Sequence, residues 1–259
     1  QEARLNHVQP GRLLEQIRGH MRGAALPAAA GSGSGIGPGI DAELVALALA
    51  GRAAERGLAA ADHVVAISEF NRSFLVTRYP DLADKVVLIR NGLDLARFEY
   101  DEPAPLSGPL KVAAVGRLVE KKGFSLLVDA VRQLVERGDT APAVQVRIAG
   151  DGDQAAALAA QVADAGLGDT IELLGPRHQE EIRDLLRWAD VMAAPCIVGA
   201  DGNADGLPTV LLEAMAMGVP VIGSDVTGIP EAVQDGSTGV LISADRLGEG
   251  DVSELVAGL

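Results

Sequence analysis

The pattern of apolar and polar positions changes character along the chain. From Gln1 to about Asp62 no run has the alternation, or the short continuous apolar stretch, of a strand. The spacing over Arg12–Arg22 is compatible with a short helix. Ala24–Gly39, within GAALPAAAGSGSGIGPG (23–39), is a low-complexity run that reads as a flexible linker or disordered loop. Its glycines lack dinucleotide-fingerprint spacing, and no strand precedes them. Asp41 is a candidate N-cap for a helix over Ala42–Arg56.

From there the pattern sharpens. HVVAIS (63–68) and VVLIR (86–90) are strands of the buried type, with a predicted helix Glu69–Arg78 stopping before Pro80. Asn91-Gly92 turns the chain, and DEPAPLSGP (101–109), proline-rich and without period, marks a domain boundary. Beyond it strands and helices alternate. The strands are KVAAVG (111–116), VQVRIAG (144–150), TIELLG (170–175), VMAAP (191–195), VPVIGS (219–224) and GVLIS (239–243). Helices are predicted over Phe124–Arg137, Gln154–Ala165, Gln179–Trp188 and Leu207–Met217, with a short one beginning at Pro230. Such alternation implies an α/β fold, a Rossmann-like parallel sheet with helices on both faces. The first 100 residues, with only two strands, would be an incomplete N-terminal α/β portion. Ligands of such sheets bind at the carboxyl ends of the strands, and the candidate motifs all fall on loops there.

Composition agrees with thin packed layers: 48% hydrophobic and only 3% aromatic over 259 residues. The net charge of −14, from 22 basic and 36 acidic residues, argues against nucleic acid as a partner. Any anionic ligand must be held by a few local cations and backbone N–H groups. The single cysteine, Cys196, excludes an internal disulfide and a thiolate zinc cluster. No apolar run is long enough for a membrane span, and the charged N-terminus lacks a secretion-signal pattern. The expectation is a cytoplasmic chain.

Two motifs carry chemistry. In VGRLVEKKG (115–123), Gly116 ends a strand, Arg117 leaves it, and Lys122 precedes a helix. Arg117 and Lys122, five residues apart with Lys121 between them, make an anion site beside a helix N-terminus. A solvated lysine pair is the plainer alternative. In DGLPTVLLEAMAMGVPVIGS (205–224), Asp205 and Glu213 lie eight residues apart. Gly206, Leu207, Pro208 and Thr209 stand at the helix start, where proline is tolerated and N–H groups are available to an anion. Glu213, flanked by Leu212, Ala214 and Met215, is costly to bury unless a diol such as ribose, or a nearby arginine, satisfies it. Weaker signals follow. AGDGD (149–153) offers an Asp-x-Asp metal spacing through Asp151 and Asp153, but a tight strand-to-helix turn needs the same residues. Arg177 and His178 suit either a base or phosphate contact or a solvated helix start. Cys196 reads as a small buried hydrophobe.

These segments, with IAGDGD, LLGPRHQEEI and TGIPEAVQDGSTGVLI (227–242), resemble the donor domain of family 4 retaining glycosyltransferases, which have the two-domain GT-B fold. ADHVVAISEFNRSFL (61–75) and IRNGLDLARF (89–98) resemble the end of the partner domain. APCIVGADGNADGLPTVLLEAMA (194–216) is similar to bacterial exopolysaccharide members of the colanic-acid type. The resemblance implies transfer of a hexose from a UDP- or GDP-linked sugar to a glycan or lipid-linked acceptor, with retention and without a required metal or other cofactor. By motif, Arg117 and Lys122 would neutralise the departing diphosphate and Asp205 would hold sugar hydroxyls. Gly116 and Gly206, Leu207, Pro208 and Thr209 would approach the phosphates and sugar, Glu213 the ribose, and Arg177 the base. The family most often has Glu where this chain has Asp205, which keeps the charge and shortens the reach.

The same resemblance divides the chain into an incomplete acceptor-side portion, residues 1–100, and a donor-binding domain, residues 101–259. A full acceptor domain runs to on the order of 150 residues. The chain would then be a fragment of the enzyme or have its acceptor side supplied elsewhere, with peripheral membrane or partner-chain association expected. Alternatives are a non-catalytic nucleotide-sugar-binding module or donor-domain fragment, a sugar-nucleotide epimerase, and a metal-dependent transferase using Asp151 and Asp153.

Overall fold

The computed structural model describes residues 57–102, 106–138 and 143–259. The helices expected over 12–22 and 42–56 and the linker 24–39 lie outside the described residues, as do positions 103–105 of the proline-rich joint. All described residues belong to one unit, residues 42–259.

All eight expected strands form; seven are slightly shorter than their apolar runs, and β3 keeps its six residues one position earlier. Strand β1 (Val64–Ala66) is followed by helix α1 (Glu69–Arg78) and pairs in parallel with β2 (Val86–Leu88). Ser68 caps α1 by accepting from the Asn71 N–H at 3.1 Å, and the helix ends before Pro80. The second sheet contains β3 (Leu110–Val115), β4 (Val144–Ala149), β5 (Ile171–Gly175), β6 (Val191–Ala194), β7 (Val221–Ser224) and β8 (Gly239–Ile242). Its order is β5-β4-β3-β6-β7-β8, with every pair parallel. Counting from β3, this is the doubly wound 3-2-1-4-5-6 arrangement, whose order reverses between β3 and β6. Asp190 accepts from the Lys111 N–H at 2.9 Å and so fixes β6 against the start of β3.

Alternation along the strands assigns each face its own core. Val112, Ala114, Val146 and Ile148 pack with helices α2 (Phe124–Glu136), α3 (Ala155–Asp164) and, at the sheet's other end, α8 (Ser253–Gly258). Ala113, Met192 and Ala194 face the other way, against α4 (Gln179–Trp188), α5 (Thr209–Ala216) and α6 (Ile229–Ala232). Helix α2 shows why the sequence folds so. Phe124, Leu127, Val128, Val131 and Leu134 recur at helical spacing and are all buried. Helix α7 (Ala244–Gly248) and α8 were not legible as periodic segments.

Helix α5 begins at Thr209, two residues later than its apolar pattern suggests. Pro208, with ψ near 120°, is its extended N-cap rather than a first-turn residue. Cys196 is 1% exposed, the buried small hydrophobe expected. In the AGDGD turn, a Cβ on Gly150 would stand 1.8 Å from the Gly116 carbonyl oxygen, so the turn is pressed against the first motif's loop. That close approach supports the turn reading of these residues. Among the described residues no helix is long and apolar enough to cross a membrane.

Candidate functional site

The two motifs meet at the reversal point of the sheet. The loop after β3 carries Gly116 to Gly123, and the loop after β6 carries Pro195 to Pro208. Residues Glu120–Lys122 wind into a single 3-10 turn, where the sequence suggested an open loop, and Gly123 then starts α2 with φ +66°. A Cβ there would stand 1.9 Å from the Pro195 carbonyl oxygen. Only glycine permits both that conformation and that approach. The turn is thereby pressed onto the strand-end loop of β6.

Three charged side chains converge where these loops touch. Lys121 Nζ lies 3.1 Å from Asp205 Oδ1, and Lys122 Nζ pairs with Asp205 Oδ2. All three are largely enclosed, with side-chain exposures of 7%, 13% and 15% for Lys121, Lys122 and Asp205. Burial alone would push the Asp205 carboxyl up, but the Lys122 ammonium, then Lys121, hold it below the usual carboxylate range. Burial raises the neighbouring Cys196 thiol to about 12, so it stays protonated and uncharged.

Each residue of the 3-10 turn grips the loop after β6. The Ala200 N–H donates to Glu120 Oε2 at 3.2 Å, and the Ile197 N–H to the Lys121 carbonyl at 3.0 Å. Lys121 Nζ also donates to Asn203 Oδ1 at 3.3 Å. From β7's side, Ser224 donates to the Cys196 carbonyl. Thr227 donates to the carbonyls of Asp205 and of Gly206, the latter at 3.0 Å. The Gly228 N–H adds 2.7 Å to the Gly206 carbonyl. Thr227 has φ +51°, a left-handed conformation costly for a β-branched residue, and the strain lies beside Asp205. A Cβ on Gly206 would be 3.2 Å from Asn71 Nδ2, so α1 borders the same spot.

Glu213 lies one turn into α5, half-buried. Its burial pushes the carboxyl pKa up, and Arg97 pulls it back. Arg97 comes from the 3-10 turn Leu95–Arg97 and donates to Gln179 Oε1 on α4 at 2.7 Å, while Arg183 donates to its carbonyl at 3.2 Å. An arginine near enough to act on the Glu213 charge is therefore present, with its guanidinium bonded to Gln179.

Lys122, Asp205 and the Gly206–Thr209 segment are brought together, with Glu213 on the helix they lead into. Arg117 leaves the end of β3 and is exposed. Arg177 follows β5, two strands from the reversal point, about 10 Å across the sheet. It is exposed and faces Glu181 at 3.7 Å, outside the lysine–aspartate cluster. Beside it His178 starts α4, its N–H donating to Glu181 at 2.9 Å, the helix-start alternative. Lys121 was legible as a cation of the motif; its role as a loop clasp was not. Arg97 and Thr227 were missed. Only the position of Thr227, just past the carboxyl end of a strand, signalled it.

The glycosyl transferases group 1 family matches residues 109–257. The amylovoran biosynthesis glycosyltransferase AmsK of Erwinia amylovora is 37% identical over 175 residues, 68% of this chain and 41% of that protein. The putative colanic acid biosynthesis glycosyltransferase WcaL of Salmonella typhimurium is 36% identical over 176 residues, again 68% and 41%. Among solved structures, Anabaena HepE in complex with UDP superposes with a TM-score of 0.64 at 22% identity. That match covers 80% of this chain and 56% of HepE and speaks for the fold alone. The chain thus spans well under half the length of these curated relatives. With its match running through both motif loops and the whole six-stranded sheet, the chain belongs to the glycosyl transferases group 1 family.

Proposed function

We propose that residues 101–259 form the nucleotide-sugar donor domain of a retaining family 4 glycosyltransferase, and residues 1–100 part of its acceptor side. The enzyme transfers a hexose from a UDP- or GDP-linked sugar to a glycan or lipid-linked acceptor in bacterial polysaccharide assembly. The observation that carries this reading is the enclosed Lys122–Asp205 pair at the reversal point of the sheet, where doubly wound folds bind nucleotides. The names of the relatives, which refer to amylovoran and colanic acid biosynthesis, support the polysaccharide context. The UDP held by HepE supports the class of donor.

In this reading the donor diphosphate lies against the start of α2, with Gly116 close to it. Lys122 and Arg117 offset the negative charge that grows as the glycosidic bond breaks. Asp205, with the backbone of Gly206 to Thr209, holds sugar hydroxyls, and Glu213 accepts from the ribose diol. The donor supplies carboxyl-compatible hydroxyls that make the burial of Glu213 tolerable. Arg177 lies toward the base. No side chain serves as a nucleophile; the leaving diphosphate takes the acceptor's proton on the same face of the sugar, which accounts for retention.

Thermal denaturation against UDP, GDP, ADP and their sugars tests donor binding. At a hundredfold excess over Kd a ligand stabilises by about 2.7 kcal/mol, a shift of roughly 2–4 °C per kcal/mol. A shift with UDP or GDP compounds, lost in Arg117→Ala and Glu213→Ala, is expected. No shift with any nucleotide contradicts the reading. Binding without sugar transfer to lipid-linked oligosaccharide would favour a donor-binding module over an enzyme.

A further inference from the structure

The two lysines of the cluster are not equivalent. The Lys122 stem runs over Gly116, whose Cβ position would lie 3.0 Å from Lys122 Cε, toward the carboxyl end of β3. Lys121 meets the other oxygen of the same Asp205 carboxylate. Its ammonium is enclosed between Asp205 and Asn203, and its carbonyl ties down Ile197. Lys121 is 6% exposed, one of three polar or charged residues buried to that degree among the described residues. One carboxylate thus holds two ammonium groups, that of Lys122 beside the end of β3 and that of Lys121 locked in the loop after β6.

We propose that Lys121 is a positioning residue: anchored by Asn203, it holds the Asp205 carboxylate in place while Lys122 turns from that carboxylate to the donor diphosphate. The inference rests on the reading of Asp205 as the residue that meets the sugar. An enclosed carboxylate that loses its only cation is strongly disfavoured, so a lone Lys122 could not serve both anions equally. With Lys121 present, Asp205 keeps a partner throughout, and the loop from Ile197 to Asp205 keeps its shape. The effect of Lys121 therefore falls on the sugar and spares the diphosphate.

Titration calorimetry of UDP, GDP, UDP-glucose and GDP-mannose with the wild-type chain, Lys121→Met and Lys122→Met separates these roles. Lys121→Met keeps length and burial. It is expected to leave nucleoside diphosphate affinity within about twofold and to lower sugar-nucleotide affinity by about tenfold, the loss typical of a charged hydrogen bond. Lys122→Met is expected to weaken both classes. Asp205→Asn reproduces the selective loss, and adding Lys121→Met to it changes sugar-nucleotide affinity no further. Equal weakening of diphosphates and sugar nucleotides in Lys121→Met, or no change in either, overturns the proposal.

A donor-free arm reads the contact itself. Thermal unfolding of Lys121→Met, Asp205→Asn and the double variant should show non-additive losses; strict additivity also overturns the proposal. Coupling in this cycle, with a wild-type chain that binds none of the four probes, would locate the failure in the donor reading, and the positioning role would fall with it.

Discussion

Glu213 and Asp205 are carboxylates of one motif with opposite electrostatic situations. Burial raises the Glu213 pKa more than Arg97 lowers it, so the folded chain binds that proton more tightly than the unfolded one. The penalty is therefore present above the folded pKa and is relieved as pH falls through it. Glu213→Gln is expected to raise the donor-free melting temperature at pH 7 by about 1–3 °C while abolishing nucleotide-induced stabilisation. A lowered melting temperature would contradict it. For Asp205 the sign reverses. Its folded pKa lies below 3.8, so its contribution is present above that value and lost as pH falls through the folded pKa. Asp205→Asn should melt lower than wild type at pH 7, and the gap should close below about pH 3.8, as differential scanning calorimetry can follow. The identity of these carboxylates was legible because a charge inside an apolar helix, or beside a proline-led helix start, needs a reason. The partners were not. Lys121 and Lys122 are neighbours on a 3-10 turn that meet opposite oxygens of one distant carboxylate, and Arg97 acts on Glu213 only because the chain folds back. Nothing in one-dimensional spacing encodes such meetings.

At the scale of elements, apolar runs bounded by glycine, proline and aspartate located every described strand, since buried parallel strands read as continuous hydrophobic stretches. Amphipathic helices such as α2 were as clear. Ends were less so. The start of α5 shifts to Thr209 because Pro208 adopts an extended backbone, a tertiary choice that composition does not force. Helices α7 and α8 are too short for a period; Leu247, Leu255 and Val256 bury them in the core, and exposed Arg246 bridges Asp251 at 2.9 Å through Nε and Glu254 at 2.6 Å. The element that matters most for the site is the junction of the 3-10 turn with α2. Gly123→Ala would drive a methyl group into the Pro195 carbonyl and impose a left-handed backbone on alanine. We expect a loss of at least about 2 kcal/mol in denaturant unfolding, with displacement of Lys122 and loss of nucleotide binding. A stability within about 0.5 kcal/mol of wild type would mean that the turn can move away from the β6 loop.

Across the described molecule, the two sheets are joined by Glu231 as well as by the chain. Its carboxylate leaves α6 and accepts from the Glu69 and Phe70 N–H groups at the start of α1, each at 2.9 Å, while Arg90 after β2 lies 3.2 Å away. The helix's positive end and the arginine both compensate this charge. Glu231→Ala should cost about 1–2 kcal/mol and speed hydrogen exchange at the amides of Glu69 and Phe70; unchanged exchange there would rule out the clasp in solution. The doubly wound class was legible from alternation alone, but the strand order was not, because parallel crossovers leave no mark on the strands they join. That order has a kinetic consequence. The site straddles β3 and β6, and the bond from Lys111 to Asp190 that sets them side by side spans 79 positions. Each local strand–helix–strand unit can close early, whereas this pairing must wait for the intervening helices to dock. During refolding, helical signal should recover before nucleotide binding does, so the site where the two loops meet is the last part of the molecule to come into being.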